Sequence, residues 1–281
     1  MMHPRGMLGH LYFGLLYLVA GIHLYAVLVW NYLIGETPAR ARFAVSRWNS
    51  LWSKAMFLAI AKAMNCRVEL HLPAYFPRPL IVISNHRGLL DALLLPTILR
   101  AIGLRNNRWI VKNTMRFDPV VGVSSRAMGN AFVKRNRSDV IGDFETVRQF
   151  ARAAREDGAN VVLFPEGTRL RAKSDQQTLK PKTAGFSIAC QELRDYDVLL
   201  LTLHWLPRAR PEWEEKLHKA TGIAAWAFQN SMIAHGSLIV EGRLTHVPAN
   251  PAAWLESEWK LMESRLEKGP MRAKVLQMAR S

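Results

Sequence analysis

Hydrophobic positions along this chain follow three successive patterns. The first is continuous. From Gly6 to Gly35 no formally charged residue occurs, and Leu8–Ile34 is dense in Leu, Val, Tyr and Phe, with His10, His23 and Asn31 as polar interruptions. At ~1.5 Å rise per residue, a helix of that length could cross a ~30 Å hydrocarbon core with tilt. Tyr12, Tyr17, Tyr25, Trp30 and Tyr32 also suit the headgroup zone, so a shallowly embedded helix is the alternative. A cleavable signal peptide, with Ala39-Arg40-Ala41 as its cleavage site, competes with both. Its apolar core is usually ~7–15 residues, about half the run found here, which favours a retained anchor.

The second pattern is periodic. Trp48, Leu51, Trp52, Ala55, Leu58 and Ala59 recur at three- and four-residue spacing, with Arg47, Lys54 and Lys62 elsewhere on the wheel. This predicts an amphipathic helix within Phe43–Asn65, its apolar face turned to a globular core or to a membrane interface. From Cys66 onward, short β-rich runs alternate with helical patterns. Strands are predicted at Val68–Leu72, Leu80–Ser84, Arg108–Lys112, Ala131–Lys134, Asn160–Phe164, Val198–Leu203 and Ser237–Glu241. Helices are predicted at Leu90–Ile102, Ile141–Glu156, Ala184–Leu193, Glu212–Gln229 and Trp254–Lys268. The expected fold is therefore α/β: a single mixed sheet flanked by helices, preceded by an N-terminal membrane-associated helical segment. Residues 1–65 would form the anchor and amphipathic helix, and residues 66–281 the α/β domain with a C-terminal helix and basic tail. The polar stretch Gly167–Gln177 reads as a loop.

Composition narrows the partners. With 49% hydrophobic and 21% charged residues among 281, the chain is no disordered polyelectrolyte. Thirty-eight Lys+Arg against 22 Asp+Glu leave a formal charge of +16. Such a surface seeks nucleic acid or an anionic membrane, and the apolar N-terminal run selects the membrane and not nucleic acid. Arg40, Arg42 and Arg47 outweigh Arg5 around that run, which predicts the rest of the chain in the cytoplasm, on the inner membrane if the source is bacterial. Cys66 and Cys190 suggest no disulfide framework and read as buried thiols. Clustered His and Cys with ligand spacing are absent from the sequence, and no metal is expected.

Two segments carry the chemistry. Asn85-His86-Arg87-Gly88-Leu89-Leu90-Asp91 follows the apolar run Leu80–Ser84, and Phe164-Pro165-Glu166-Gly167-Thr168-Arg169 follows Asn160–Leu163. Both fall where a strand ends and a helix begins, which is where α/β sheets place ligands. Asp91 can cap the helix, or its carboxylate can accept from one imidazole nitrogen of His86 so that the other nitrogen takes a proton. This is a serine-type triad without its nucleophile, a place a substrate hydroxyl can fill. In the second segment Gly167 permits close backbone approach, Thr168 can donate a hydroxyl hydrogen bond and Arg169 offers a fork for phosphate. Glu166 would orient Arg169 or another basic neighbour. A third block runs from Lys112 to Gly122 and then from Gly129 to Arg135. Lys112 and Arg135 both end strands, where they are candidate substrate ligands or ordinary surface charges. His204, near a strand end, is either a further site residue or a buried hydrogen-bonded histidine.

These blocks, in this order, resemble the PlsC-like glycerolipid acyltransferases, the family of lysophosphatidic acid acyltransferases. The family's Asn-His-x4-Asp is matched by Asn85, His86 and Asp91, its Gly-x-x-Phe-x-x-Arg by Gly129, Phe132 and Arg135, and its Phe-Pro-Glu-Gly-Thr-Arg by Phe164 to Arg169. Lys182 and Gly185 resemble its Lys-x-x-Gly. The resemblance covers roughly Leu80 to Leu203. It implies transfer from acyl-CoA or acyl-carrier protein, as co-substrate and with no further cofactor, to the glycerol hydroxyl of a lysophospholipid. His86 would be general base, Asp91 its orienter, and Arg135, Glu166, Gly167, Thr168, Arg169 and Lys112 would bind substrate. Many members carry a proline-rich strand, Val-Pro-Ile-x-Pro-Val. Here Val198–Trp205 stands in its place with no proline before Pro207. With Leu179–Gly185 ahead of it, this variant resembles the lysocardiolipin and lysophosphoinositide acyltransferase branch and its bacterial relatives.

Two rivals are weighed against this. An acyl-ester hydrolase needs a protein nucleophile, yet no Gly-x-Ser-x-Gly elbow occurs. Gly185-Phe186-Ser187-Ile188-Ala189 lacks the last glycine and lies in a predicted helix. A non-enzymatic protein binding anionic membranes explains the charge but has no use for the paired His86/Asp91 and Glu166–Arg169 segments.

Overall fold

A computed structural model describes residues 4–63, 67–76, 79–86, 88–135, 140–168, 178–207 and 235–268. The predicted helix Glu212–Gln229, most of the Gly167–Gln177 loop, Arg169, Cys66 and the basic tail lie outside the described residues. The elements in order are α1 (Pro4–Leu33), α2 (Pro38–Ala63), β1 (Arg67–His71), β2 (Leu80–Ser84), α3 (Leu89–Ala101), β3 (Asn107–Lys112), a 3₁₀ helix (Asn113–Phe117), α4 (Val121–Ala127) and β4 (Ala131–Val133). They continue with α5 (Val140–Glu156), β5 (Asn160–Leu163), α6 (Thr183–Glu192), β6 (Asp197–Pro207), β7 (His235–His246) and α7 (Pro251–Lys268).

Seven strands form one sheet in the order β1-β7-β6-β2-β5-β3-β4. The five from β6 to β4 run parallel; β7 pairs antiparallel with β6, and β1 runs parallel to β7. The mixed sheet flanked by helices is as expected from the sequence. Alternation along β2 explains its central place. Leu80 and Val82 pack with Leu94, Leu95, Ile98 and Leu99 of α3 on one face, while Ile81 and Ile83 meet α5, α6 and α7 through Phe150, Phe186 and Trp259 on the other. All five β2 residues are buried, which is why the strand reads as an unbroken apolar run. Each such aliphatic side chain contributes about 1.5–3 kcal/mol.

Strands β6 and β7 are longer than their apolar cores predicted. They pair with each other from Asp197↔His246 to Leu206↔Ser237. Mutual hydrogen bonding carries both through polar residues such as His204 and Thr245, where a hydrophobic pattern stops. The 3₁₀ helix and α4 were not anticipated. A seven-residue helix has too few turns to show a period; it is set instead by Asp118, whose Oδ1 accepts from the backbone N–H of Val120 and Val121 at 2.9 and 2.7 Å.

The N-terminal helices pack on the α/β layer. Ala20 and Leu24 of α1 and Val45, Trp48 and Met56 of α2 share a cluster with Val120 and Met128. A Cβ on Gly21 would stand 3.0 Å from Val120 Cγ2, so the absence of a side chain lets α1 approach closely. Tyr17 bonds to Asp118, Tyr25 donates to the Pro119 carbonyl at 3.0 Å and Trp48 to the Ala20 carbonyl at 3.1 Å. The opposite side of α1, with Leu15, Leu18, Ile22, Trp30 and Leu33, is exposed, and Gly14–Leu33 is long and apolar enough to cross a membrane. The stripe predicted on α2 divides. Trp48 packs inward, whereas Leu51 and Leu58 face out, because the buried face runs instead through Val45, Ser46, Ser53, Met56 and Phe57.

At the amino end of the strands Asn160 replaces missing ladder partners. Its Oδ1 accepts from Leu80 N–H at 2.9 Å, and its Nδ2 donates to Asn107 Oδ1 at 3.0 Å and to the Asn106 carbonyl at 3.2 Å. Asn160→Ala leaves a buried N–H unsatisfied and is expected to cost about 1–3 kcal/mol. Chemical denaturation checks this, and turnover per folded molecule should stay unchanged, since Asn160 lies at the sheet edge remote from the strands' carboxyl ends.

Candidate active site

The carboxyl ends of β2 and β5 bring the two sequence segments together. His86 leaves β2 and lies half-buried, its ring stacked on Phe164 with centroids 4.1 Å apart and planes at 18°. Its Nδ1 is 3.1 Å from Asp91 Oδ2. Asp91 occupies the third position of α3 and is completely buried. The same Oδ2 accepts from the backbone N–H of Gly88, the N-cap residue, at 2.7 Å. The cap and the imidazole partner, alternatives in the sequence, are thus one carboxylate serving both. Asp91 Oδ1 accepts from Trp205 Nε1 at 2.8 Å. A carboxylate with three donors around it can hold an imidazole with Nδ1 protonated, leaving Nε2 able to take a proton.

Glu166 is buried, and its Oε1 accepts from the backbone N–H of His86 at 3.1 Å. This bond ties the β5 corner to the His86 backbone. Gly167 has φ +71°, a left-handed conformation that costs other residues ~1–2 kcal/mol. A Cβ there would also stand 3.3 Å from Lys182 Cδ and 3.4 Å from its Nζ. The Lys182 ammonium therefore overlies the corner, its backbone N–H donating to the Pro165 carbonyl at 2.8 Å. Thr168 is exposed.

Arg135 and Lys112 lie on the same edge of the sheet at the ends of β4 and β3. With β5 between β2 and β3, Arg135 is three strand spacings from His86, about 14 Å at ~4.8 Å each. Arg135 has φ 58°; the Asp143 carboxylate accepts from the Lys134 and Arg135 N–H groups at 2.7 and 2.6 Å and holds the turn. Burial lowers the Arg135 pKa, and Asp143 partly offsets this. Lys112 is exposed.

His204 does not join this cluster. Side chains alternate along β6, so His204 emerges on the α7 face while Leu203 and Trp205 pack with α3. It is buried, with Nε2 3.3 Å from Glu241 Oε2. Burial lowers its pKa from 6.5; Glu241 opposes the shift and Arg265 adds to it. Cys190 is buried too, its thiol pushed up to about 12 by desolvation, which makes it a poor nucleophile.

Two residues contribute in ways that the sequence does not show. Trp205 lies 114 residues from Asp91. Asn85 was legible as part of a motif but not in its action: its side chain accepts from Leu203 N–H at 2.8 Å and donates to the Leu203 carbonyl at 3.1 Å. Among the described residues no group of three or more His, Cys, Asp and Glu could hold a metal.

Residues 67–204 match the acyltransferase family model. The fold is similar to the crystal structure of the 1-acyl-sn-glycerophosphate (LPA) acyltransferase PlsC from Thermotoga maritima, with a TM-score of 0.64 and 19% identity over 96% of this chain and 98% of that one. No curated protein matches the sequence significantly.

The His204 environment predicts an acid-side loss of stability. Burial holds the His204 pKa below the ordinary value of 6.5, so as pH falls the unfolded chain binds the extra proton first. Stability should be full above about pH 6.5 and decline as pH falls toward the depressed folded value, by about 1.4 kcal/mol per unit of depression. Guanidinium midpoints at about pH 7.5 and about pH 5 should show a smaller drop for His204→Gln than for the parent chain; equal drops would remove His204 from the account.

Proposed function

The chain belongs, through residues 67–204, to the acyltransferase family, and on that premise we propose that it moves a fatty acyl chain from acyl-CoA or acyl-carrier protein to the free glycerol hydroxyl of a lysophospholipid. The observation that carries this reading is the 3.1 Å contact between His86 Nδ1 and Asp91 Oδ2 at the carboxyl end of a central strand. His86 Nε2 accepts the hydroxyl proton as the oxygen attacks the thioester carbonyl. The carbon–sulfur bond then breaks, and the departing thiolate takes up the proton. Asp91 stabilises the transient imidazolium and fixes the ring. Glu166 sets the backbone from which His86 projects.

The acceptor's phosphate is held along the same edge of the sheet. Gly167 and Thr168 provide the corner beside the His86 anchor, Lys112 and Arg135 lie across β5 and β3, and Arg169, next after Thr168 in the sequence, is a further ligand. An acceptor that occupies this edge places its phosphate among cations while its hydroxyl meets His86. The match of charge to site also accounts for part of the +16 excess. Acceptors are lysophosphatidic acid or a lysophospholipid with a larger headgroup.

The enzyme works at a membrane. One side of α1 is fixed to the domain by Tyr17 and Tyr25, two turns apart, and the other exposes Leu15, Leu18, Ile22 and Trp30. A helix held along one side suits a pair seated in one leaflet better than a free span. Arg40, Arg42 and Arg47 favour the anionic cytoplasmic face.

Purified protein given a panel of lysophospholipids and labelled acyl-CoA should yield diacyl product by mass. His86→Ala should lower kcat by about 10²–10⁴-fold with the fold intact by circular dichroism. Arg135→Ala should chiefly raise the acceptor KM, about tenfold or more, as expected for loss of one charge-assisted contact. Near-normal transfer by His86→Ala would remove the base assignment.

A further inference from the structure

The third donor to Asp91 comes from an element that neither sequence segment contains. β2 ends at Ser84, opposite Leu201, but β6 continues to Pro207. Past that end, the Asn85 side chain bonds both the N–H and the carbonyl of Leu203, at 2.8 and 3.1 Å, as a strand neighbour would. Asn85 therefore takes over from β2 on that side of β6, while β7 stays paired on the other side through Pro207. Two residues after Leu203, Trp205 emerges on the same face, within the cluster that packs α3. Its indole N–H reaches Asp91 Oδ1 at 2.8 Å, in a place where Trp205 is nearly, and Asp91 wholly, withdrawn from solvent.

The distribution of donors over the two oxygens gives this bond its consequence. Gly88 N–H and His86 Nδ1 both address Oδ2. The terminal torsion of an aspartate is soft, and donors on Oδ2 alone restrain the carboxylate plane at one point. A donor on Oδ1 adds the second point, which narrows the range of that torsion. We infer that Trp205 is a positioning residue for the reaction: through Asp91 it sets the plane and direction of the His86 ring, and Asn85 sets Trp205 by holding β6. The inference rests on the proposed roles of His86 and Asp91.

A buried indole N–H needs an acceptor in any case, so a purely structural bond is the rival. The two differ in what they change. A structural role alters stability, and a positioning role alters the chemical step with substrate binding intact.

The test compares Trp205→Phe, which keeps an aromatic body and loses the donor, with His86→Ala in the full-length protein, using lysophosphatidic acid and acyl-CoA as substrates. Trp205→Phe is expected to lower kcat about ten- to a hundredfold, as loss of a hydrogen bond to a charged partner does, with both KM values within about twofold. Unchanged kcat in Trp205→Phe beside an inactive His86→Ala overturns the inference and leaves the base assignment standing. An active His86→Ala overturns the base assignment itself. A rise in KM at constant kcat makes Trp205 a substrate contact and also overturns the inference. Should Trp205→Phe fold poorly, benzothienylalanine at position 205, the near-isostere of tryptophan without the N–H, decides: the same fall in kcat with both KM values held is expected, and an unchanged kcat overturns the inference.

Discussion

The site depends on the clamp by which Asn85 grips Leu203. Parallel strands of unequal length leave the longer one without a partner beyond the shorter one's end, and unpaired backbone groups inside a protein are costly. Here β2 stops at Ser84 and β6 does not. The Asn85 amide, donor and acceptor at once, pairs both backbone groups of Leu203. The clamp also lies between the parts of the site: Trp205, two residues after Leu203, meets Asp91 Oδ1, and His86 is the residue after Asn85.

The two ends of the sheet use polar side chains to opposite effect. At the amino end, Asn160 and Asn107 close a network that only joins strands. At the carboxyl end, Asn85, Asp91 and Glu166 are as deeply buried, yet Asp91 meets the half-buried His86 ring, Glu166 the His86 backbone, and Asn85 the strand that carries Trp205 to Asp91. Phe164 stacks on the ring and limits its tilt. The proposed base thus has its ring and its backbone restrained from the segment after β5 and its partner from β6, an arrangement that exchanges rotamer freedom for preorganisation. His204 belongs to neither group; the alternation of β6 turns it to the far face, against Glu241.

The N-terminal helices are part of the same body. Tyr17 and Tyr25 grip the Asp118-Pro119 turn, and Asp118 in turn caps α4. An apolar helix that is docked on one side and exposed on the other brings an exposed apolar surface into fixed relation with the β3–β4 edge, the region proposed for the acceptor.

Much of this was legible in the residues alone. The unbroken run Leu80–Ser84, the alternation of strand-like and helix-like segments and the Gly6–Gly35 stretch determined the fold class and the location of most elements, because burial on two faces, one face or none leaves distinct periodicities. The motif around His86 and Asp91 could be read because both partners lie on one strand-to-helix turn, five residues apart. What local pattern does not carry, only the tertiary structure decided. The length of β6 and β7 came from their pairing, α4 from a cap, the attachment of Glu166 to His86 from the neighbouring of β2 and β5, and the approach of Trp205 to Asp91 from a strand register set 118 residues away in sequence. Contacts of that kind depend on how separate segments are brought side by side, and no periodicity within either segment encodes them.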